Sequence, residues 1–349
     1  MSVQTDTLLA SAADGHRWQI IRCAPPHPTT TLLWLPALGV AARHYQPFAQ
    51  ALASTGVAVY VHEWRGNGSS TLRPSREHDW GYRTLLADDL PASHALLDIH
   101  DPQLPRMIGG HSLGGQLACC YAALHPVQFS QLWLVASGSP YWRNFPVPMR
   151  YGLPLAFRLL PWLARRQGVL NGRKLGFGGT EARSLIADWA QVGRSNRYRA
   201  AGAPWDLEQA LGQLRVPIRA VTLARDTWGP ADALRALLDK MPQTHPHHVR
   251  LDDVHLGARS DHFAWMKTPA AVVAALRCVA RLTTTATTLE FHKGIDGPVA
   301  HPHNSAPDEA PVAQLDRVPG YEPGGREFES LRAHHPQNKK KSTHALFLS

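Results

Sequence analysis

Short apolar runs alternate with segments of helical periodicity along most of this 349-residue chain. That alternation restricts the fold more than any other feature. A parallel strand buried on both faces reads as a continuous apolar run, and its parallel neighbour is reached only through a crossover, usually a helix. The chain opens with "TLLASAADGHRWQIIRC", two strands about a turn at Asp14-Gly15, which predicts an antiparallel hairpin. The strand "TTLLWLP" follows, then the helix "ARHYQPFAQALASTG" stopped at Gly56, then the strand "VAVYVHEW". "YRTLLADDLPASHALLDIH" has helical spacing, with Pro91 marking a kink or a second start. After it come the strand "RMIGGH", the helix "LGGQLACCYAALH" and the strand "QLWLVAS".

The alternation stops at residue 139 and resumes with "VPIRAVTLA", "PADALRALLDKMP", "HHVRLDDV" and "PAAVVAALRCVARL". The interruption is too long for a plain crossover and carries helical patches such as "AFRLLPWLARR" and "EARSLIADWAQVG". The expectation is a core from residues 1–138 and 215–282, a mostly parallel eight-stranded sheet flanked by helices. Residues 139–214 form a helical cap inserted before a late strand.

A hydrophobic content of 44% is enough to bury a sizeable core. The net charge of +9 is unevenly spread, with +10 in residues 1–282, and is a weak pointer to anionic ligands or surfaces. Cys23, Cys119, Cys120 and Cys278 lack the paired spacing of a zinc site or a disulfide framework. The opening residues show no basic stretch followed by an apolar one. The reading is a soluble cytoplasmic protein. "HPHH" at 245–248 is interrupted by Pro246 and has no spaced carboxylate or thiol, so no metal is expected.

One short stretch carries chemistry. Gly110-His111-Ser112-Leu113-Gly114 is a G-x-S-x-G between a strand and a helix, where a serine can be exposed on a strained turn. The Leu113 N–H, at the start of that helix, would point at an oxyanion beside the serine. A serine hydroxyl needs a base, and the base needs a carboxylate to hold its tautomer. Asp226 in "VTLARDTWGP" follows a strand and His262 in "GARSDHFAWMKTP" precedes the last helix, with Asp252 and Asp253 as alternative acids. Asp261 reads as structural and His111 as a packing residue.

The stretches "LLWLPALG", "VHEWRGNGSS", "GGHSLGG", "LARDTWGP" and "SDHFAWM" resemble the α/β-hydrolase superfamily from residue 1 to about 282. Within it the chain is most similar to bacterial hydrolases grouped with serine aminopeptidase-like and monoacylglycerol lipase-like enzymes. The resemblance implies an α/β-hydrolase fold and catalysis by Ser112, Asp226 and His262. It also places the second oxyanion N–H at Leu38, although Pro36-Ala37-Leu38-Gly39 stands where the family commonly has His-Gly-x-Gly.

The implied activity is hydrolysis of a carboxylic ester or related acyl bond without a cofactor. A serine aminopeptidase or amidase is the alternative enzyme, and a catalytically silent binding scaffold is the alternative from another class. Trp142, Tyr151, Phe157, Trp162 and Trp189 are candidate substrate-binding residues. The arginine-rich 139–215 stretch is read as a solvated face or, more sharply, as one making transient contact with a lipid surface. The expected partner is otherwise a small acyl substrate, and no nucleic acid.

Residues 283–349 lose apolar periodicity and read as a disordered tail. "VAQLDRV" and "GGREFESLRAHH" reverse-translate into sequences resembling the arms of a transfer RNA gene. On that reading the tail is a translated gene fragment, and the lysines at 339–341 need no nucleic-acid partner.

Overall fold

The computed structural model describes residues 2–175 and 177–277, which fall within one compact unit. The tail reading, Cys278 and the end of the last helix lie outside the described residues.

Among the described residues there are ten strands: β1 Gln4–Ser11, β2 Arg17–Ala24, β3 Thr30–Leu35, β4 Val57–Val61, β5 Arg106–His111, β6 Gln131–Val135, β7 Val169–Asn171, β8 Thr180–Ala182, β9 Ile218–Leu223 and β10 Pro246–Leu251. Eight make one sheet in the order β1-β2-β4-β3-β5-β6-β9-β10. The β1–β2 and β2–β4 pairs are antiparallel and the rest parallel. Central β4 is buried at every position, whereas edge strand β1 is buried at one residue in eight. Continuous apolar runs and ragged alternation thus report sheet position. The hairpin turns at Gly15, whose φ of 84° suits glycine.

The helices are α1 Gln46–Ala53, α2 Tyr82–Thr84, α3 Leu90–His100, α4 Leu113–Leu124, α5 Met149–Gln167, α6 Arg183–Ser195, α7 Leu207–Gln213, α8 Ala231–Leu238, α9 Asp253–Leu256 and α10 Ala270–Arg277. One core layer joins α1 and α10 to the sheet through Phe48, Leu52, Val272 and Leu276, around Trp34 and Trp265. The other joins α3, α4 and α8 through Leu90, Leu97, Leu117 and Leu237. Among the described residues no helix is long and apolar enough to cross a membrane.

Two local departures have clear causes. A π-helical segment, Leu85–Asp89, sits between α2 and α3 because Pro91 has no N–H to donate to the preceding turn. It carries Asp89, which is buried against the Arg65 guanidinium and within 3.3 Å of His16, tying the 62–70 loop to the helix. Between β6 and β9 the chain builds α5, α6 and α7, and also an antiparallel ribbon of β7 and β8. Three-residue strands are too short to show a period, so the ribbon has no signature in the sequence.

Candidate active site

The turn from β5 into α4 places Ser112 at φ 55°, ψ −121°, a region that side-chain-bearing residues seldom occupy. Two glycines make the turn sterically possible. A Cβ on Gly110 would collide with the backbone of Gly114 and Gly115, and one on Gly114 with the carbonyls of Leu35 and Pro36. The Ser112 N–H donates to the Val135 carbonyl of β6 at 3.2 Å, so the neighbouring strand holds the strained residue. Leu113 is the first residue of α4, where N–H groups have no partner within the helix.

Asp226 and His262 are both buried and come together at the same sheet edge, beyond β9 and β10. The His262 Nδ1–H donates to Asp226 Oδ2 at 2.8 Å. Asp226 Oδ1 accepts from the N–H groups of Trp228 at 2.8 Å and Gly229 at 2.9 Å, which fixes the carboxylate plane. That hydrogen bond leaves Nε2 as the basic nitrogen of His262. The alternative acids serve other ends. Asp252 caps α9 through His255 N–H, and Asp253 accepts from Ser260 and pairs with Arg225. Asp261 accepts from the N–H groups of Phe263 and Ala264, which shapes the loop carrying His262.

Ser112, His262, Leu38 and Leu113 line one cavity of about 820 Å³, its open mouth included. Most of its wall is apolar. Phe157 and Trp189 belong to it, packed at 5.0 Å. Trp189 stacks on Phe177, and Phe177 on Trp228, so an aromatic ladder runs from the inserted segment to the loop bearing Asp226. Phe145, Phe177, Trp228 and Phe263 line the cavity without having been singled out in the sequence.

Three of the five candidate substrate-binding residues are reassigned. Trp142, Tyr151 and Trp162 are not in the lining; Tyr151 and Trp162 lie on the solvent side of α5. Side chains three or four residues apart share a helix face, and the inner face of α5 is taken by Met149, Leu153 and Phe157.

The Pro36–Gly39 loop is held in a way the sequence did not announce. The Ala37 N–H donates to the Tyr45 hydroxyl at 2.8 Å, and Trp64 Nε1 donates to the Pro36 carbonyl at 2.7 Å. Gly39 has φ 71°, and a Cβ there would strike the backbone of Gly178 and Gly179, so the β7–β8 ribbon packs directly on the loop. Tyr45 also donates to His111 Nδ1 at 2.8 Å. Burial, followed by the nearby His262, pushes the His111 pKa well below the ordinary value. His111 is therefore neutral, and its ring packs against that of His262 with centroids 4.7 Å apart. A tyrosine before a helix is a common core residue, so no local pattern singled it out.

Two carboxyls near this edge are shifted. Burial pushes Glu181, on β8, up to about 7 and Glu63, in the loop after β4, up to about 7. Glu181 Oε1 accepts from the Gly179 N–H at 2.7 Å, which helps close the ribbon beside Leu38. Among the described residues no cluster of His, Cys, Asp and Glu has the arrangement of a metal site. His248 of the "HPHH" stretch bonds Thr222 at 2.7 Å.

A mostly parallel sheet covered on both faces, with a strained serine at a strand–helix elbow, is the architecture of the α/β-hydrolase fold. Residues 26–194 match the family model described as serine aminopeptidase, S33. Over 98 residues the chain is 32% identical to a monoacylglycerol lipase of Mycolicibacterium smegmatis, an alignment spanning 27% of this chain and 32% of that protein. The match thus covers about a third of the curated relative's length.

A hydrolase from Pseudomonas aeruginosa PA01 superposes with a TM-score of 0.54 at 16% identity, covering 77% of this chain and 96% of the other. A thermophilic esterase from Thermogutta terrifontis superposes with a TM-score of 0.52 at 16% identity, covering 78% of this chain and 97% of the other. At such identities these likenesses establish the fold.

Proposed function

We propose that the protein is a serine hydrolase that cleaves carboxylic esters with an apolar acyl group. The observation that carries this reading is the buried His262–Asp226 pair opening on the same cavity as Ser112. Ser112 Oγ attacks the acyl carbonyl while His262 Nε2 takes its proton, and the N–H groups of Leu38 and Leu113 receive the oxyanion. His262 then gives that proton to the leaving alkoxide as the C–O bond breaks, leaving an acyl-serine and a free alcohol. Water, deprotonated by His262, attacks the acyl-serine; collapse returns that proton from His262 to Ser112 and releases the carboxylic acid, which ionises by losing its proton to solvent. Asp226 stays ionised throughout, holding the tautomer and balancing the imidazolium.

The lining supports an apolar acyl group, because Phe157, Phe177 and Trp189 offer large apolar area. An aminopeptidase needs an acceptor for the substrate ammonium. None of the lining residues is a carboxylate, and Glu181 is turned to the Gly179 N–H. A reducing, cytoplasmic setting belongs to the same reading, supported by the buried free thiols of Cys23, Cys119 and Cys120.

The test is a fluorophosphonate probe together with a panel of acyl esters, thioesters and aminoacyl arylamides. The probe should label Ser112, and Ser112→Ala should lose both labelling and turnover. Full turnover in a folded Ser112→Ala protein would defeat the proposal. Arylamide turnover above ester turnover would move it to the aminopeptidase reading.

A further inference from the structure

Helix α5 carries apolar residues on both sides, which a helix needs only when each side meets an apolar neighbour. Its inner side supplies Met149, Leu153 and Phe157 to the cavity. On the outer side Tyr151 is 73%, Leu155 60%, Leu159 49% and Trp162 52% exposed. These four follow one another at spacings of three and four residues, so they form a single stripe along the helix. Scattered exposed apolar residues need no explanation, but a contiguous stripe of this length does.

The border of the stripe says what meets it. Arg158, Arg165 and Arg166 are exposed on the same side of α5, and the helix contains no acidic residue. The Arg166 guanidinium lies over the Trp162 ring, 5.6 Å from its centroid. Aromatic and aliphatic side chains flanked by arginines, with no countercharge, match the interface of an anionic bilayer. There the rings sit at headgroup depth and the guanidinium groups reach lipid phosphates. A second copy of the chain fits less well, because α5 against α5 would bring like charges together.

We propose that the outer face of α5 docks the protein on an anionic phospholipid surface. Docking brings the other side of the same helix, and the cavity it lines, next to the bilayer. Delivery of lipid-borne esters to Ser112 through that route rests on the hydrolase reading above; docking itself does not.

Co-sedimentation with vesicles of phosphatidylcholine, with and without phosphatidylglycerol, tests it on the full chain. The Ser112→Ala protein serves as a second sample, so binding is scored apart from turnover. Wild-type protein and Ser112→Ala should partition alike onto the phosphatidylglycerol vesicles, and salt should weaken the binding. The triple change Arg158→Gln, Arg165→Gln, Arg166→Gln should weaken partition by about a hundredfold. Leu155→Ser with Trp162→Ser should also release the protein. Both variants should keep the thermal midpoint and the turnover of a short water-soluble ester.

Undiminished vesicle binding in both variants, or none by the wild type at low salt, would overturn the proposal. So would a concentration-dependent dimer that the α5 changes abolish, which would make the face a protein interface. Vesicle binding by a protein that proved inactive would leave docking standing while the hydrolase reading fell.

Discussion

The β5–α4 elbow and the inserted segment around α5 both face the same cavity, yet they are built on opposite principles. At the elbow the backbone determines everything: Ser112 is strained, and Gly110 and Gly114 stand where any Cβ would strike main-chain atoms. Around α5 the contacts are between side chains, with Phe157, Phe177 and Trp189 packed ring against ring. Chemistry at a tetrahedral centre tolerates little displacement, whereas an acyl chain is held by area. On the hydrolase reading proposed above, the contrast implies that rate and selectivity are separately built, and substitutions should separate them.

The largest effect should come from Asp226→Asn. The variant keeps the shape of the site but holds His262 in the wrong tautomer, so kcat for every ester should fall by about 10⁴-fold. A loss confined to long acyl chains would break the comparison, since it would give the acid loop a selective role.

Phe157→Ala should act the other way. It removes a buried wall residue and should cost about 10- to 200-fold in kcat/KM on long-chain esters, with little effect on the shortest. Equal loss across a chain-length series would mean that Phe157 holds the fold instead.

Tyr45→Phe sharpens the boundary between the two regions. It deletes the hydroxyl that accepts from Ala37 and donates to His111, leaving the ring in place. Both bonds are lost, and a loosening of the loop worth about 1.4 kcal/mol corresponds to about a tenfold drop, here in kcat with KM unchanged. A matching rise in KM would show that the loop binds substrate as well as the oxyanion.

A last change should appear in stability and leave turnover untouched. The Glu181 carboxyl is pushed by burial from 4.5 up to about 7, so the folded state prefers it protonated. The unfolded chain ionises first as pH rises, and the stability contributed by the neutral acid is lost between roughly 4.5 and 7. Glu181→Gln keeps an acceptor for the Gly179 N–H and removes that loss. Its advantage should be near zero at pH 4 and grow to a plateau above pH 8, on the order of 3 kcal/mol. Thermal midpoints of both proteins across that range check it; a constant difference at all pH values would remove the ionisation as the cause.

Much of this architecture was legible because the signals are local. Buried parallel strands need continuous apolar runs, a strand–helix elbow needs glycines two residues either side of its serine, and the hairpin needs Asp14-Gly15. Asp226 and His262 were legible as candidates by their places after one strand and before the last helix. The sequence preferred Asp226 and kept Asp252 and Asp253 as alternatives, and the 2.8 Å contact between Asp226 Oδ2 and His262 Nδ1 shows which of the three meets the imidazole.

The helical spacing of α5 was legible too, but not which of its apolar faces turns inward. Tyr151, Phe157 and Trp162 are alike in composition, and only packing against α6 and the cavity separates wall from surface. The support of the Pro36–Gly39 loop by Tyr45, Trp64 and the β7–β8 ribbon joins residues distant in sequence. The sequence by itself determined the periodicities, the elbow and the residue types able to do acyl chemistry, since those are properties of short segments. The tertiary structure alone decided which alternative acids stand apart from His262, which aromatic rings face the cavity and what braces the Pro36–Gly39 loop, because each depends on distances between segments that no local pattern encodes.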